Sequence, residues 1–109
     1  MTSRARLVTI RQAAATDTSS IFLYLATEAT LEIAEEFLQA LAAAYKHLQR
    51  FPEIGIELSG YSPDIQMLRR WPVPGFANYL VYYRMDNGGV DIVRILHGAR
   101  DVRALLKDF

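Results

Sequence analysis

The sequence predicts a small α+β domain with the element order β-α-α-β-β-β-α, in which an antiparallel-rich sheet carries a helical hairpin on one face. The length of 109 residues suits a single domain over residues 1–109. Apolar residues recur with helical spacing in the first half of the chain and form strand-like runs in the second half. This segregation of helical and strand-like segments is typical of the α+β class.

A short strand and a first helix are predicted at the start of the chain. Residues 6–11 are rich in β-branched side chains, which favour a strand. Residues 12–27 predict a helix. Its buried stripe would consist of Ile21, Tyr24 and Leu25, with Phe22 as a further candidate.

The second helix, over residues 31–50, has the strongest periodic signal in the chain. Spacings of three, four and seven predict its buried face: Ala34, Phe37, Leu38, Leu41, Tyr45 and Leu48. Thr30 is suited to the N-cap position, because its hydroxyl can accept a hydrogen bond from the first helical turn. The helix should end at Phe51-Pro52, since a residue before proline disfavours the α conformation.

Three strands are predicted in the second half, at residues 67–73, 78–85 and 90–97. A long loop over 52–66 precedes them, and a short helix over 101–107, capped by Asp101, follows them. Residues 86–89, Asp-Asn-Gly-Gly, favour a tight turn between the last two strands. The strand at 78–85 is apolar on both sides, so both its faces should be buried. One helical hairpin covers only one face, so the C-terminal segment or another protein should close the other.

The charge is balanced overall but uneven along the chain. Twelve basic and twelve acidic residues give a net charge of zero, which argues against generic nucleic-acid binding. Residues 67–109 hold seven bases and four acids, a net charge of +3, whereas residues 1–66 hold five bases and eight acids, a net charge of −3. The basic second half therefore suits a local anionic partner.

The composition also bounds the chemistry. The chain has no cysteine, which excludes disulfides and thiol catalysis and fits a reducing compartment. Two histidines without Glu or Cys at ligand spacing predict no metal site, and no cofactor motif is present. The first twelve residues contain no long apolar h-region, so we expect no signal peptide. No run of about 18 apolar residues is present, and we expect a cytoplasmic protein.

Several segments, in this order and spacing, resemble the RelE/ParE superfamily of toxins from bacterial toxin–antitoxin pairs. They are Arg50-Phe51-Pro52 with Gly55, Leu68-Arg69, Phe76, Tyr79-Leu80-Val81-Tyr82-Tyr83-Arg84, and Arg94-Ile95-Leu96-His97-Gly98-Ala99-Arg100-Asp101. The last of them is similar to the ParE, or plasmid-stabilisation, branch. The resemblance covers nearly the whole chain.

The resemblance implies a growth-inhibiting toxin that forms a hetero-oligomeric complex with a neutralising ParD-like antitoxin. ParE-like toxins poison DNA gyrase, whereas RelE-like relatives cleave mRNA on the ribosome, and the shared fold does not choose between them. We expect DNA gyrase as the target, with no sequence-specific nucleic-acid binding by the chain alone. The alternatives are a ribosome-dependent mRNA interferase and a non-toxic partner-binding module.

On this hypothesis the candidate site residues serve binding rather than catalysis. The residues predicted to bind the target are Arg69, Arg70, Arg94, Arg100 and Arg103. Those predicted to bind the antitoxin are Trp71, Leu80 and Tyr82. No catalytic residue is assigned, and the interferase alternative would use Arg84 and His97 at the phosphate of the RNA.

Each of these residues also has a structural interpretation. His97 could be bonded to nearby backbone or to Asp101. Arg84 and Arg94 could form ion pairs with Asp86 and Asp91. Regular strand alternation would place Arg94 and His97 on opposite faces of the sheet. Trp71 could belong to the core.

Overall fold

The computed structural model describes residues 7–58, 67–86 and 88–98. Two helices and five strands follow one another as β1 (Val8–Ile10), α1 (Gln12–Glu28), α2 (Leu31–Arg50), β2 (Ile56–Glu57), β3 (Arg69–Val73), β4 (Phe76–Asp86) and β5 (Gly89–His97). This confirms the predicted α+β class and the helical hairpin packed on the sheet. The predicted helix at 101–107, with its Asp101 cap, lies outside the described residues.

The five strands form one sheet in the order β1-β5-β4-β3-β2. All neighbours are antiparallel except β1 and β5, which are parallel, with Val8 opposite Val90. The turn between β4 and β5 falls within the predicted Asp86–Gly89 segment, and Gly88 there has a φ of +81°, which glycine adopts without strain.

Helix α2 is built largely as its periodicity predicts. The Thr30 hydroxyl accepts a hydrogen bond from the Ile33 amide at 3.0 Å, which confirms the N-cap. Phe37, Leu41 and Leu48 are buried in the core. Leu38 is 39 % exposed, so its assignment to the buried face is wrong. It lies at the edge of the stripe, on the outer side of the hairpin beside α1.

Helix α1 packs Ile21 and Leu25 against the core, as predicted. Phe22 is half-buried. Tyr24 is 58 % exposed, so its assignment to the buried stripe is wrong. Because α1 carries apolar residues on several sides, its periodicity does not define which side the sheet covers.

Side chains that alternate along the strands form apolar clusters on both faces of the sheet. On the helix face, Val81 and Tyr83 of β4 pack with Phe37 and Leu41 of α2. On the opposite face, Tyr82 packs with four other buried apolar residues: Leu58, Leu68, Val93 and Leu96. The central strand is thus buried on both sides, as predicted. Closure of the second face by the C-terminal segment lies outside the described residues.

The segment after α2 contains a strand that the sequence does not predict. β2 pairs Ile56 with Arg70 and Glu57 with Arg69, inside the expected loop 52–66. Two residues are too few to show alternation, and the pairing partner lies further along the chain. Among the described residues, no helix is both long and apolar enough to cross a membrane.

Candidate functional site

A groove of about 550 Å³ lies between α1 and the adjoining ends of β4 and β5. Its floor is apolar and its rim carries hydroxyl, amide, carboxylate and imidazole groups. The lining residues are Asp17, Ser20, Ile21, Tyr24, Asn78, Tyr79, Ile95, Leu96 and His97. The rings of Tyr79 and His97, which are paired across the two strands, meet edge to face with centroids 5.2 Å apart.

Asp17 forms one wall of this groove. Its carboxylate accepts hydrogen bonds from Arg94 Nε at 2.7 Å and Arg94 Nη2 at 2.8 Å, and from the Ile95 amide at 3.0 Å. The hydrogen bonds that Arg94 donates to Asp17 raise the pKa of Arg94, against the opposing effect of burial. A two-pronged ion pair therefore joins α1 to β5, with little of either side chain exposed.

A β-bulge interrupts β5 between Ile92 and Arg94. Tyr82 pairs with Arg94, but Tyr83 pairs with Ile92, so β5 contains one extra residue. The extra residue changes the phase of alternation, and Ile92 and Ile95 both enter the helix-face cluster. From Arg94 to His97 the pairing with Tyr82 to Tyr79 is regular, which is the condition under which Arg94 and His97 were predicted to lie on opposite faces. That prediction therefore stands.

The phenols in and behind the groove hold their protons strongly. Burial, followed by the proximity of Tyr24, raises the pKa of Tyr79. Burial raises the pKa of Tyr45 to about 12, an effect that a hydrogen bond with Thr18 opposes and the charge of Asp17 reinforces. Neutral hydroxyls above an apolar floor can donate hydrogen bonds to a bound partner, which suits recognition.

The structure does not bring Arg84 and His97 together. Arg84 Nε lies 3.3 Å from Asp91, which also accepts a bidentate pair from Arg11. His97 is paired with Tyr79, five residues along β4 from Arg84, which corresponds to about 17 Å at the strand rise. The structural interpretation of Arg84 as an ion pair with Asp91 is confirmed, while Arg94 binds Asp17 and neither Asp86 nor Asp91.

The predicted target-binding arginines are in different environments. Arg69 Nη1 donates to the carbonyls of Glu53 at 3.1 Å and Gly55 at 2.9 Å, so it braces the segment after α2. Within the described residues the half-buried Arg70 forms no ion pair or side-chain hydrogen bond. Arg100 and Arg103 lie outside the described residues.

The predicted antitoxin-binding residues lie on two faces. Trp71 packs against the helix-face cluster, and its ring lies 5.8 Å from that of His47. Leu80 and Tyr82 belong to the opposite cluster, where Tyr82 is fully buried and Leu80 is half-buried. Their assignment to antitoxin binding stays a prediction.

Sequence reasoning missed Asp17, Tyr24 and Asn78 as parts of the groove. The one available signal was Asp17, an acidic residue in a helix that is otherwise uncharged until Glu28. Among residues 7–58, 67–86 and 88–98, no three His, Cys, Asp or Glu side chains are grouped to hold a metal ion.

Comparisons with known proteins agree with this architecture. A family model described as the ParE toxin of the type II toxin–antitoxin system parDE matches residues 8–102. A solved structure, described as the chromosomal ParDE TA system from P. aeruginosa, matches with a TM-score of 0.70 and 19 % identity. That match covers 87 % of this chain and 98 % of the other, and at this identity it shows a shared fold. No curated protein matches the sequence.

Proposed function

Because this chain belongs to the ParE toxin family of type II toxin–antitoxin systems, we propose that it arrests growth by binding and poisoning DNA gyrase. A ParD-like antitoxin neutralises it in a hetero-oligomeric complex. The chain acts by binding a protein rather than by cutting RNA.

The distance between Arg84 and His97 is the observation that favours protein binding over RNA cleavage. Cleavage requires a base, an acid and a cation arranged around one phosphate. Here Arg84 pairs with Asp91, while His97 contacts Tyr79 about 17 Å away along the sheet. Arg94, which contacts the Asp17 wall of the groove, is held by that carboxylate. This arrangement supports a recognition surface.

Arg70 is the most suitable described residue for contact with an acidic surface on the target. Arg70 forms no ion pair within the described part of the chain. Arg69 and Arg94, in contrast, donate hydrogen bonds to acceptors within the domain. Arg100 and Arg103 extend the proposed target-binding set, and Trp71, Leu80 and Tyr82 remain the proposed antitoxin contacts.

The test is a DNA supercoiling assay with gyrase and the purified chain, with and without its antitoxin. We expect inhibition or trapped DNA breaks that the antitoxin reverses. Arg70→Gln should weaken inhibition roughly tenfold, as expected for the loss of a charged interface contact. Gln39→Glu, on the exposed face of α2, changes the net charge equally and serves as the control.

Unaffected gyrase, from a preparation that still arrests growth, would overturn the proposal and favour RNA cleavage on the ribosome. In that case His97→Gln should abolish cleavage without altering antitoxin binding. Normal growth of cells that express the chain alone would instead indicate a non-toxic binding module.

A further inference from the structure

Helix α2 presents a second stripe of side chains, away from the core, that ordinary folding does not explain. Five exposed residues follow spacings of three and four and therefore share one side of the helix: Leu31, Glu35, Leu38, Ala42 and Lys46. Leu31 is 57 % exposed and Leu38 is 39 % exposed. Solvated helix faces usually carry polar residues at such positions, so this stripe suits a partner.

The stripe continues onto α1. Leu38 shares a shallow, largely apolar groove with Phe22 and Leu23 of α1, and Leu23 is 65 % exposed. The groove has a volume of about 390 Å³. Two helices thus contribute to one exposed apolar surface on the outer side of the hairpin.

The charges on the stripe are complementary to those of a second copy of the stripe that runs in the opposite direction. Glu35 lies towards the start of the helix and Lys46 towards its end, and neither forms an ion pair within the described residues. If two copies of α2 pack antiparallel about an axis between residues 40 and 41, Glu35 faces Lys46 of the second copy. In the same register Leu38 lies opposite Ala43 of the second copy and next to its Ala42, two exposed small side chains that permit close approach of the helices.

We propose that this stripe is a homodimer interface, occupied by a second copy of the chain in the antiparallel arrangement. A partner of uniform charge would match only one end of the stripe, whereas the two-fold arrangement matches both ends. The interface lies on the outer side of the hairpin and is distinct from the groove between α1 and the sheet. It does not depend on the identity of the toxin's target.

The test is sedimentation equilibrium of the purified, antitoxin-free chain over a range of concentrations. Wild type should dimerise, and Glu35→Lys or Lys46→Glu alone should weaken the dimer roughly tenfold, because symmetry counts each altered pair twice. The double variant Glu35→Lys/Lys46→Glu should restore association. The matched control is Glu36→Lys, which reverses the charge of an exposed residue that lies away from the stripe.

A wild-type chain that stays monomeric at all concentrations would overturn the proposal. So would a dimer that the single reversals leave unchanged, or one that the double variant fails to restore. Leu38→Glu should abolish the dimer, and its circular dichroism and melting curve verify that the monomer remains folded. The charge exchange decides the question even if that variant unfolds.

Discussion

At the scale of single residues, the Tyr83 hydroxyl holds the segment after α2 in place through two buried hydrogen bonds. It donates to the Pro52 carbonyl at 2.8 Å and accepts from the Gly55 amide at 2.8 Å. A β-carbon at Gly55 would lie 2.3 Å from this oxygen, so the close approach requires glycine. One buried side chain therefore fixes the path of the segment that leaves α2.

We predict that Tyr83→Phe lowers the free energy of unfolding by about 2 kcal/mol, because it leaves a buried amide and a buried carbonyl without partners. Urea unfolding of the two proteins measures the difference. Tyr79→Phe is the control, since no hydrogen bond of the Tyr79 hydroxyl to a described residue is lost. Equal losses in the two variants would contradict the role given to Tyr83.

At the scale of elements, the Asp17–Arg94 pair fixes α1 to β5 beside the bulge. The carboxylate satisfies both the guanidinium and the backbone amide of Ile95. One wall of the groove therefore depends on a contact between two residues that are 77 positions apart in the sequence.

We predict that Asp17→Ala destabilises the fold by about 2–3 kcal/mol, because it leaves the largely buried Arg94 guanidinium and the Ile95 amide without their acceptor. Glu57→Ala is the matched control, since Glu57 is half-exposed and 3.9 Å from Arg69, and it should cost less than about 1 kcal/mol. Thermal unfolding compares the two. If Glu57→Ala destabilises the fold as much as Asp17→Ala does, the Asp17–Arg94 pair has no particular role in holding α1 to β5.

At the scale of the whole molecule, buried tyrosines set an alkaline limit to stability. The pKa of Tyr45 is raised to about 12, and burial also raises the pKa values of Tyr79 and Tyr83. In the unfolded chain tyrosines ionise near pH 10, roughly. Between these values the native state holds more protons, so stability is full below about pH 10 and falls as pH rises towards about 12.

We predict that Tyr45→Phe flattens this decline. Urea unfolding at several pH values between about 9 and 11 gives the slope of the unfolding free energy against pH. Tyr24→Phe removes an exposed tyrosine and should leave the slope near that of the wild type. Parallel slopes for Tyr45→Phe and the wild type would show that the alkaline limit arises elsewhere.

The sequence predicted what local patterns determine. The α2 stripe and the Thr30 cap depend on neighbours within a turn or two, and both are confirmed, apart from Leu38 in the stripe. Leu38 and Tyr24 were misplaced because an apolar residue at the edge of a stripe is buried only if another element covers it. Family likeness identified the chain, but it did not place individual side chains.

The groove was less predictable because long-range pairing creates it. The bulge in β5 arises from its register with β4, and nothing in the β5 sequence marks the extra residue. The shift places Ile92 and Ile95 on the same face of the sheet, which regular alternation does not predict, and Ile95 lines the groove. β2 escaped prediction for a related reason, since its partner strand begins at Arg69.

The parallel pairing of β1 with β5 has a consequence for synthesis of the chain. Val8 is translated 82 residues (90 − 8) before Val90, its partner in the sheet. β5 also lies between β1 and β4, so a nascent chain that lacks it has a divided sheet. Such late closure slows folding. The complete sheet therefore forms only after β5 has been translated, and a product interrupted before β5 lacks the strand that joins β1 to β4.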